Sequence, residues 1–202
     1  MKLYDSQSAP NPRRVRMFLA EKGVSVPVEQ VDIASAANRA PEFRAKNPTG
    51  GVPVLELDDG TFLAESVAIC RYFEERHPQP ALMGTDAQDR AVVEMWQRRM
   101  ELELFIPIAQ VFRNGHPFFA GRIPQVPEWG EVNRQHAEAS MTWIDRELAG
   151  REFIAGERFT IADITALCGI DFGRVSKIRI AAELANLTRW HTAVSARPSA
   201  KA

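Results

Sequence analysis

The chain has 202 residues, and its 25 basic and 26 acidic side chains leave a formal net charge of −1. This balance offers no electrostatic footprint for nucleic acid or for a membrane surface. Its apolar runs are far shorter than the roughly 20 residues of a membrane span, and no signal-like segment precedes the first strand-like stretch. We therefore expect a globular, cytoplasmic protein that binds neither nucleic acid nor membrane.

The first predicted elements alternate between strand and helix. A strand covers Lys2–Asp5, and a helix runs from about Asn11 to Lys22. Asn11 fits the N-cap, and Pro12 fits the first helical position, where its missing N–H costs nothing. Gly23 then ends the helix. A second strand (26–31) and a short helix (41–46) follow.

Two arginines, Arg13 and Arg14, occupy the first turn of this helix, where a positive charge opposes the macrodipole by about 0.3–1 kcal/mol each. Unfavourable charge at a helix end that faces a ligand can be a sign of function, because a bound anion would offset the repulsion between the arginines and the helix dipole. The alternative is that both guanidinium groups point away into surface ion pairs.

The stretch from 47 to 73 holds the most specific pattern in the chain. Gly50-Gly51-Val52-Pro53 is a turn signal, and Pro53 fits a bend or the first residue of a strand because it has no N–H. The apolar run 54–57, the turn Asp59-Gly60 and the run 61–64 predict a hairpin. Glu65-Ser66 then opens a helix with apolar residues at helical spacing.

This arrangement predicts a site for an amino acid joined to an extended peptide. A bend before the strand leaves the peptide groups of Val52 free to bond a ligand backbone. The helix start at Ser66 offers N–H groups and a positive dipole end to a carboxylate, while Glu65 accepts hydrogen bonds from an ammonium group. The alternative is a buried hairpin in which Ser66 is an ordinary N-cap.

The same residues resemble the glutathione-binding half of the glutathione transferases. That thioredoxin-like domain has a cis-proline after Val or Ile, then a hairpin, then a Glu/Gln-Ser pair that opens the third helix; here these are Val52-Pro53 and Glu65-Ser66. The resemblance implies reduced glutathione as co-substrate, held by Val52, Pro53, Glu65 and Ser66. It also implies a two-fold homodimer.

The fold implied is a thioredoxin-like α/β domain of order βαβαββα, followed by an all-α helical domain. We expect the first domain over residues 1–78, a linker rich in proline and glycine over 79–86, and the helical domain over 87–202.

The activating group of the thiol is the point where the chain departs from the family. A thiol of pKa ~8.5 is mostly protonated at neutral pH, and a helix N-terminus or a donor lowers that value. The family's serine position falls on Ala9 and its cysteine position on Asn11. This departure resembles an atypical bacterial and fungal branch that lacks the usual hydroxyl or thiol. Candidates are therefore Asn11, Ser8 and His116, with a pure N-cap and an ordinary loop histidine as the alternatives for Asn11 and His116.

The second half is helical in pattern throughout. A long helix over 87–112 should kink at Pro107. Thr160 and Asp163 have the spacing of a capping box with a scaffolding role, so replacing Asp163 by alanine should cost about 0.5–2 kcal/mol. The remaining helices are predicted over 128–148, 162–173 and 180–196.

Cys70 and Cys168 lie on apolar helical faces and are expected to be buried thiols, in keeping with a reducing cytoplasm. The four histidines are scattered, and neither cysteine has a nearby partner of metal-binding type. We therefore predict no metal site.

The leading functional hypothesis is a glutathione transferase that conjugates the thiolate to small apolar electrophiles, bound near Phe112, Phe118 and Phe119. A non-catalytic docking protein of the stress-protein type is the alternative, and a missing activator at Ala9 is what it would show. A thiol-disulfide reductase is disfavoured, because the loop before the first helix has no cysteine.

Overall fold

The computed structural model describes residues 1–202 as two compact units. The first unit contains residues 1–81 together with the C-terminal residues 198–202, and the second contains residues 82–197. None of the helices is both long enough and apolar enough to cross a membrane.

The first unit is built on a four-stranded sheet of order β2-β1-β3-β4. β1 lies parallel to β2 and antiparallel to β3, and β3 lies antiparallel to β4. The strands are β1 (Lys2–Asp5), β2 (Val28–Gln30), β3 (Val54–Glu56) and β4 (Phe62–Ala64), and the helices are α1 (Pro10–Lys22), α2 (Pro41–Arg44) and α3 (Ser66–Arg76). This order confirms the predicted βαβαββα arrangement.

Two apolar layers hold this sheet. On one side α1 packs against α3, and Phe18 and Phe73 are fully buried between them and the sheet. Tyr4, Phe43 and Val54 form a buried cluster that joins the sheet to α2. Burying an aromatic or aliphatic side chain of this size contributes roughly 1.5–3 kcal/mol, so the two layers fix the sheet from which the loops project.

Helix α1 begins earlier than predicted, and the assignment of Asn11 as N-cap is wrong. The N-cap is Ala9, which is extended and makes no side-chain capping bond, and Pro10 follows it at the start of the helix. The fixed φ of Pro10 is already helical, so the helix starts there and Pro12 lies two positions further in. The predicted end is confirmed, because Gly23 is left-handed with φ 64°.

The hairpin between β3 and β4 also agrees with the sequence pattern. Gly60 has φ 85°, and the N–H of Thr61 donates to Asp59 Oδ1 over 2.9 Å. The N–H of Leu57 donates to the carbonyl of Thr61 over 2.8 Å and closes the turn. The Asp-Gly signal therefore sets the register of the strand that leads back to Glu65.

The second unit consists of helices packed around α7. Ile161 through Ile170 are all buried, and α7 packs against α4, α5 and α8. The helices are α4 (Ala87–Arg99), α5 (Ile106–Gly115), α6 (Pro127–Glu147), α7 (Ile161–Gly173) and α8 (Ala185–Ser195). Only α8 differs much from its predicted bounds, since it begins five residues later than expected.

The predicted kink near Pro107 takes the form of a π-helical segment, Met100–Phe105, between α4 and α5. Pro107 has no N–H, so the carbonyl of Glu103 loses the partner that an α-helix would give it. The Ser140 hydroxyl on α6 donates to that carbonyl over 2.6 Å. A side chain of the neighbouring helix thus replaces the missing backbone bond.

Replacing Ser140 by alanine should lower the free energy of unfolding by about 1–2 kcal/mol, because it leaves the Glu103 carbonyl without a donor. The melting temperature should fall by about 2–8 °C, measured by circular dichroism. The matched control is Thr142→Ala, whose hydroxyl donates within α6 to a carbonyl already in the helix ladder; its change should stay within about 0.5 kcal/mol. Equal melting temperatures for the two variants would contradict the replacement role of Ser140.

The capping box at the start of α7 is confirmed, and it is larger than the sequence indicates. Asp163 Oδ2 accepts the Thr160 N–H over 2.9 Å, and Thr160 Oγ1 accepts the N–H of Ala162 over 3.3 Å. Asp163 Oδ1 also accepts the N–H of Ile154 over 2.9 Å and Trp190 Nε1–H over 2.8 Å. Burial raises the pKa of Asp163, and the bonds from Ile154, Trp190 and Thr160 hold it down. One carboxyl group therefore ties α7 to α8 and to the preceding loop.

Candidate functional site

A small cavity lies in the first unit where three segments meet: the start of α1, the bend before β3 and the start of α3. Its volume is about 80 Å³. The lining residues are Asn11, Asn47, Gly51, Val52, Pro53, Glu65 and Ser66. The structure thus brings together the four residues predicted to hold a peptide ligand, and it adds Asn11 and Asn47 to them.

The bend before β3 is held from behind by two asparagines that the sequence reasoning missed. The Val52-Pro53 peptide bond is cis. Asn47, which is buried, donates from Nδ2 to the Gly51 carbonyl over 2.9 Å, and Asn38 donates from Nδ2 to the Gly50 carbonyl over 2.7 Å. The turn composition of residues 47–50 was the available signal for Asn47.

The backbone of Val52 is left open by this bend. Its N–H and C=O make no hydrogen bond within the chain, whereas Val54 beyond it pairs with both neighbouring strands. An open N–H and C=O beside a cavity can bind the backbone of an extended peptide as an added strand would.

Glu65 and Ser66 form the opposite wall of the cavity. Glu65 has φ 68° and ψ 115°, a left-handed φ that a residue with a side chain adopts at a cost of about 1–3 kcal/mol. Such strain is concentrated at ligand clamps, and it leaves the Glu65 carboxylate exposed at the rim. Ser66 is the first residue of α3, so the alternative that it is the N-cap is wrong.

The two arginines of α1 make different contacts, and only Arg13 turns away from the cavity. Arg13 Nη2 donates to the carbonyl of Ala200 over 3.0 Å. Arg14 is 1% exposed, and its Nη1 donates to Ser66 Oγ over 2.6 Å and to Asn11 Oδ1 over 3.1 Å. A buried guanidinium therefore joins the start of α1 to the start of α3 directly beside the cavity.

Comparison with known proteins decides the family. The profile of the glutathione S-transferase N-terminal domain matches residues 3–81, and that of the C-terminal domain matches residues 127–198. Glutathione S-transferase 2 of Saccharomyces cerevisiae is 37% identical over the whole chain and 88% of its own length. This chain belongs to the glutathione S-transferase family.

Solved structures agree with this membership. The crystal structure of Gtt2 from Saccharomyces cerevisiae matches with a TM-score of 0.95 at 37% identity, covering 100% of this chain and 99% of the other. A glutathione S-transferase domain-containing protein from Marinobacter aquaeolei matches with a TM-score of 0.93 at 41% identity, covering 98% and 99%. The thioredoxin-like domain followed by a helical domain is therefore the fold of this glutathione S-transferase.

Of the loop residues predicted to activate a thiol, only Asn11 lines the cavity of this transferase. Ser8 is exposed and does not line the cavity. The loop around Ser8 is anchored through Asp5, which is buried and accepts from Arg16 Nη1 over 2.7 Å. Asn11 uses its Oδ1 to accept from Arg14, which leaves its amide nitrogen as the group that can act as a donor.

In the second unit, the predicted apolar residues form one aromatic cluster. Phe112, Phe118, Phe119 and His116 are all half-buried, and Phe172 of α7 joins them. The ring centroid of Phe112 lies 4.6 Å from that of His116, 5.0 Å from Phe172, 5.2 Å from Phe119 and 6.1 Å from Phe118. Sequence reasoning missed Phe172 because its position on α7 is that of an ordinary core residue.

His116 has its tautomer fixed by this cluster. The N–H of Phe118 donates to His116 Nδ1 over 3.1 Å. Because Nδ1 accepts a hydrogen bond, the proton of the neutral ring is on Nε2. His116 therefore offers a hydrogen-bond donor, not an acceptor, to any group that approaches Nε2.

The cysteines agree with their prediction. Cys70 in α3 and Cys168 in α7 are buried thiols that form no disulfide. No three histidine, cysteine or acidic side chains are grouped so that they could hold a metal ion.

Proposed function

We propose that this transferase binds reduced glutathione at the cavity of the first unit and conjugates the thiol to small apolar electrophiles. The observation that supports the proposal is that one cavity joins the open peptide of Val52 to the first turn of α3. The carboxylate of the γ-glutamyl end would accept from Ser66, its ammonium group would donate to Glu65, and the cysteinyl backbone would pair with Val52. Pro53 forms the floor between these two walls.

The thiol needs a group that stabilises its thiolate. Asn11 is the first candidate, since its amide nitrogen is a donor near the start of α1, where the helix dipole also favours a negative sulfur. Ser8 and His116 are the other candidates, Ser8 from the loop before α1 and His116 through its Nε2–H. The thiol proton passes to water, the thiolate forms a bond to the electrophilic carbon, and the leaving group departs with its electron pair.

The electrophile would bind on the aromatic cluster of the second unit, chiefly Phe112, Phe118 and Phe119. Half-buried aromatic rings give an apolar surface that orients a small planar substrate without a strict shape requirement. We further propose a cytoplasmic, two-fold homodimer. Large apolar side chains exposed on the second unit, among them Leu102, Ile106, Trp129 and Val132, support a covered surface there.

Two measurements test the proposal. The protein should be retained on immobilised reduced glutathione and eluted by free glutathione, and it should then conjugate a chlorodinitrobenzene-type substrate. Retention without turnover would instead favour the non-catalytic docking protein. Absence of retention and of turnover would remove glutathione from this cavity.

A further inference from the structure

We propose that Arg14 is a positioning residue of the glutathione site, which orients Ser66 and Asn11 so that each presents a hydrogen-bond donor to the ligand. This inference rests on the proposed function, and it concerns a residue that does not itself line the cavity. Three features of Arg14 support it: the geometry of the guanidinium, the orientation that it imposes on its two partners, and the charge that it places behind them.

The geometry is specific to one nitrogen. Arg14 Nη1 carries two hydrogens, and it has two acceptors in reach, Ser66 Oγ at 2.6 Å and Asn11 Oδ1 at 3.1 Å. Both hydrogens are therefore committed in fixed directions. The side chain is 1% exposed, so water does not compete for these bonds.

The orientation follows from the fact that a guanidinium only donates. Ser66 must face Arg14 with a lone pair, so its single O–H hydrogen points elsewhere, and the cavity is the open space that Ser66 lines. In the same way Asn11 must turn its oxygen to Arg14, which settles the amide orientation and leaves its NH₂ on the other side. Without Arg14 either group could rotate and present an acceptor, which would repel a carboxylate or a thiolate.

The third feature is the positive charge that Arg14 holds behind Ser66 and Asn11. Arg14 places a permanent positive charge just beyond the first turn of α1 and buries it. Its neighbours on the same buried face are apolar, including Val15 and Phe18, so an apolar side chain would fit the helix pattern. A ligand carboxylate at Ser66 would lie two hydrogen bonds from this cation and be attracted by it.

The test compares Arg14→Met with Arg13→Met. Arg13 is the adjacent arginine; it does not line the cavity, and its Nη2 donates to the Ala200 carbonyl. Calorimetric binding of reduced glutathione should weaken about tenfold or more in Arg14→Met and stay within about twofold in Arg13→Met. In steady-state kinetics the Arg14 variant should raise the KM for glutathione, because Ser66 loses its orientation, and should lower kcat, because Asn11 loses its own; Arg13→Met should change neither constant by more than about twofold. Arg14→Lys, which keeps a cation and a donor, should recover at least part of the lost affinity.

Two further measurements distinguish positioning from a structural role. Glutathione with its γ-glutamyl α-carboxylate converted to an amide should bind the wild type far more weakly than glutathione does, and Arg14→Met should bind the two about equally. In a Ser66→Ala background, Arg14→Met should lower the affinity for glutathione little further, because both changes remove the same interaction between Ser66 and the ligand carboxylate.

The inference is overturned if folded Arg14→Met, checked by its melting temperature, binds glutathione within twofold of the wild type or still discriminates against the amide. If Arg14→Met does not fold, Arg14→Lys takes its place in the test. Because Ser66 would still face a cation, Arg14→Lys should bind glutathione and discriminate against the amide as the wild type does. A loss of affinity for glutathione and for the amide alike in Arg14→Lys would overturn it. Failure of the wild type to bind glutathione removes the proposed function, a result distinct from any difference among variants.

Discussion

Replacing Asp163 by alanine is expected to lower the free energy of unfolding by about 3–5 kcal/mol, more than the loss of an ordinary helix cap. The carboxyl group is fully buried and accepts from Ile154, Thr160 and Trp190. Alanine would leave these donors buried without an acceptor, at about 1–3 kcal/mol for each group. Partial relaxation keeps the total below the sum.

Thermal unfolding followed by circular dichroism measures this effect. For a chain of this length, about 3–5 kcal/mol corresponds to a fall of roughly 6–20 °C in melting temperature. The matched control is Asp86→Ala: Asp86 also caps a helix, accepting the Asp89 N–H over 3.0 Å, but it is exposed and should cost about 1 kcal/mol. A fall for Asp163→Ala no larger than that of the control would show that the buried donors find other partners.

The contrast between these two caps also marks the limit of prediction from sequence. The box itself could be read from Thr160 and Asp163, because its members are three residues apart and the motif is local. Trp190 is 27 residues away and Ile154 belongs to a loop with no motif, so their bonds to Asp163 depend on how α7 and α8 pack. The sequence therefore predicted the role of Asp163 and underestimated its energetic weight.

The same distinction between local motifs and long-range contacts explains which parts of the site could be predicted. The hairpin, Gly23 and the Glu65-Ser66 pair have local signatures, and the resemblance to the glutathione transferases supplied their joint meaning. Arg14 had two open interpretations, because its partner Ser66 lies 52 residues away and no local pattern indicates the contact. Nor could the sequence show that Pro10 displaces the start of α1, since either proline of the loop could have occupied the first helical position.

Ser66→Ala is expected to weaken the binding of reduced glutathione about 10- to 100-fold, whereas Ser8→Ala should change it by less than about twofold. The Ser66 hydroxyl is buried beside the cavity with its hydrogen directed away from Arg14, so it would donate to the ligand carboxylate in a charge-assisted bond. Ser8 is exposed and outside the cavity lining, so its hydroxyl exchanges one bond with water for another.

Calorimetric titration of each variant with reduced glutathione ranks their affinities. The conjugation assay then gives the KM and kcat of each variant. Loss of a contact made equally to substrate and transition state raises KM and spares kcat, which is the result expected for Ser66→Ala. A group that stabilises the thiolate acts differently: its removal should lower kcat and move the pH dependence of the rate to higher pH, because the thiol pKa rises. If Ser8→Ala has that second signature while Asn11→Ala lacks it, the activating group is Ser8, even though Ser66 keeps the stronger effect on affinity. If Ser8→Ala weakens binding more than Ser66→Ala does, the ligand lies along the loop before α1 and not against the first turn of α3.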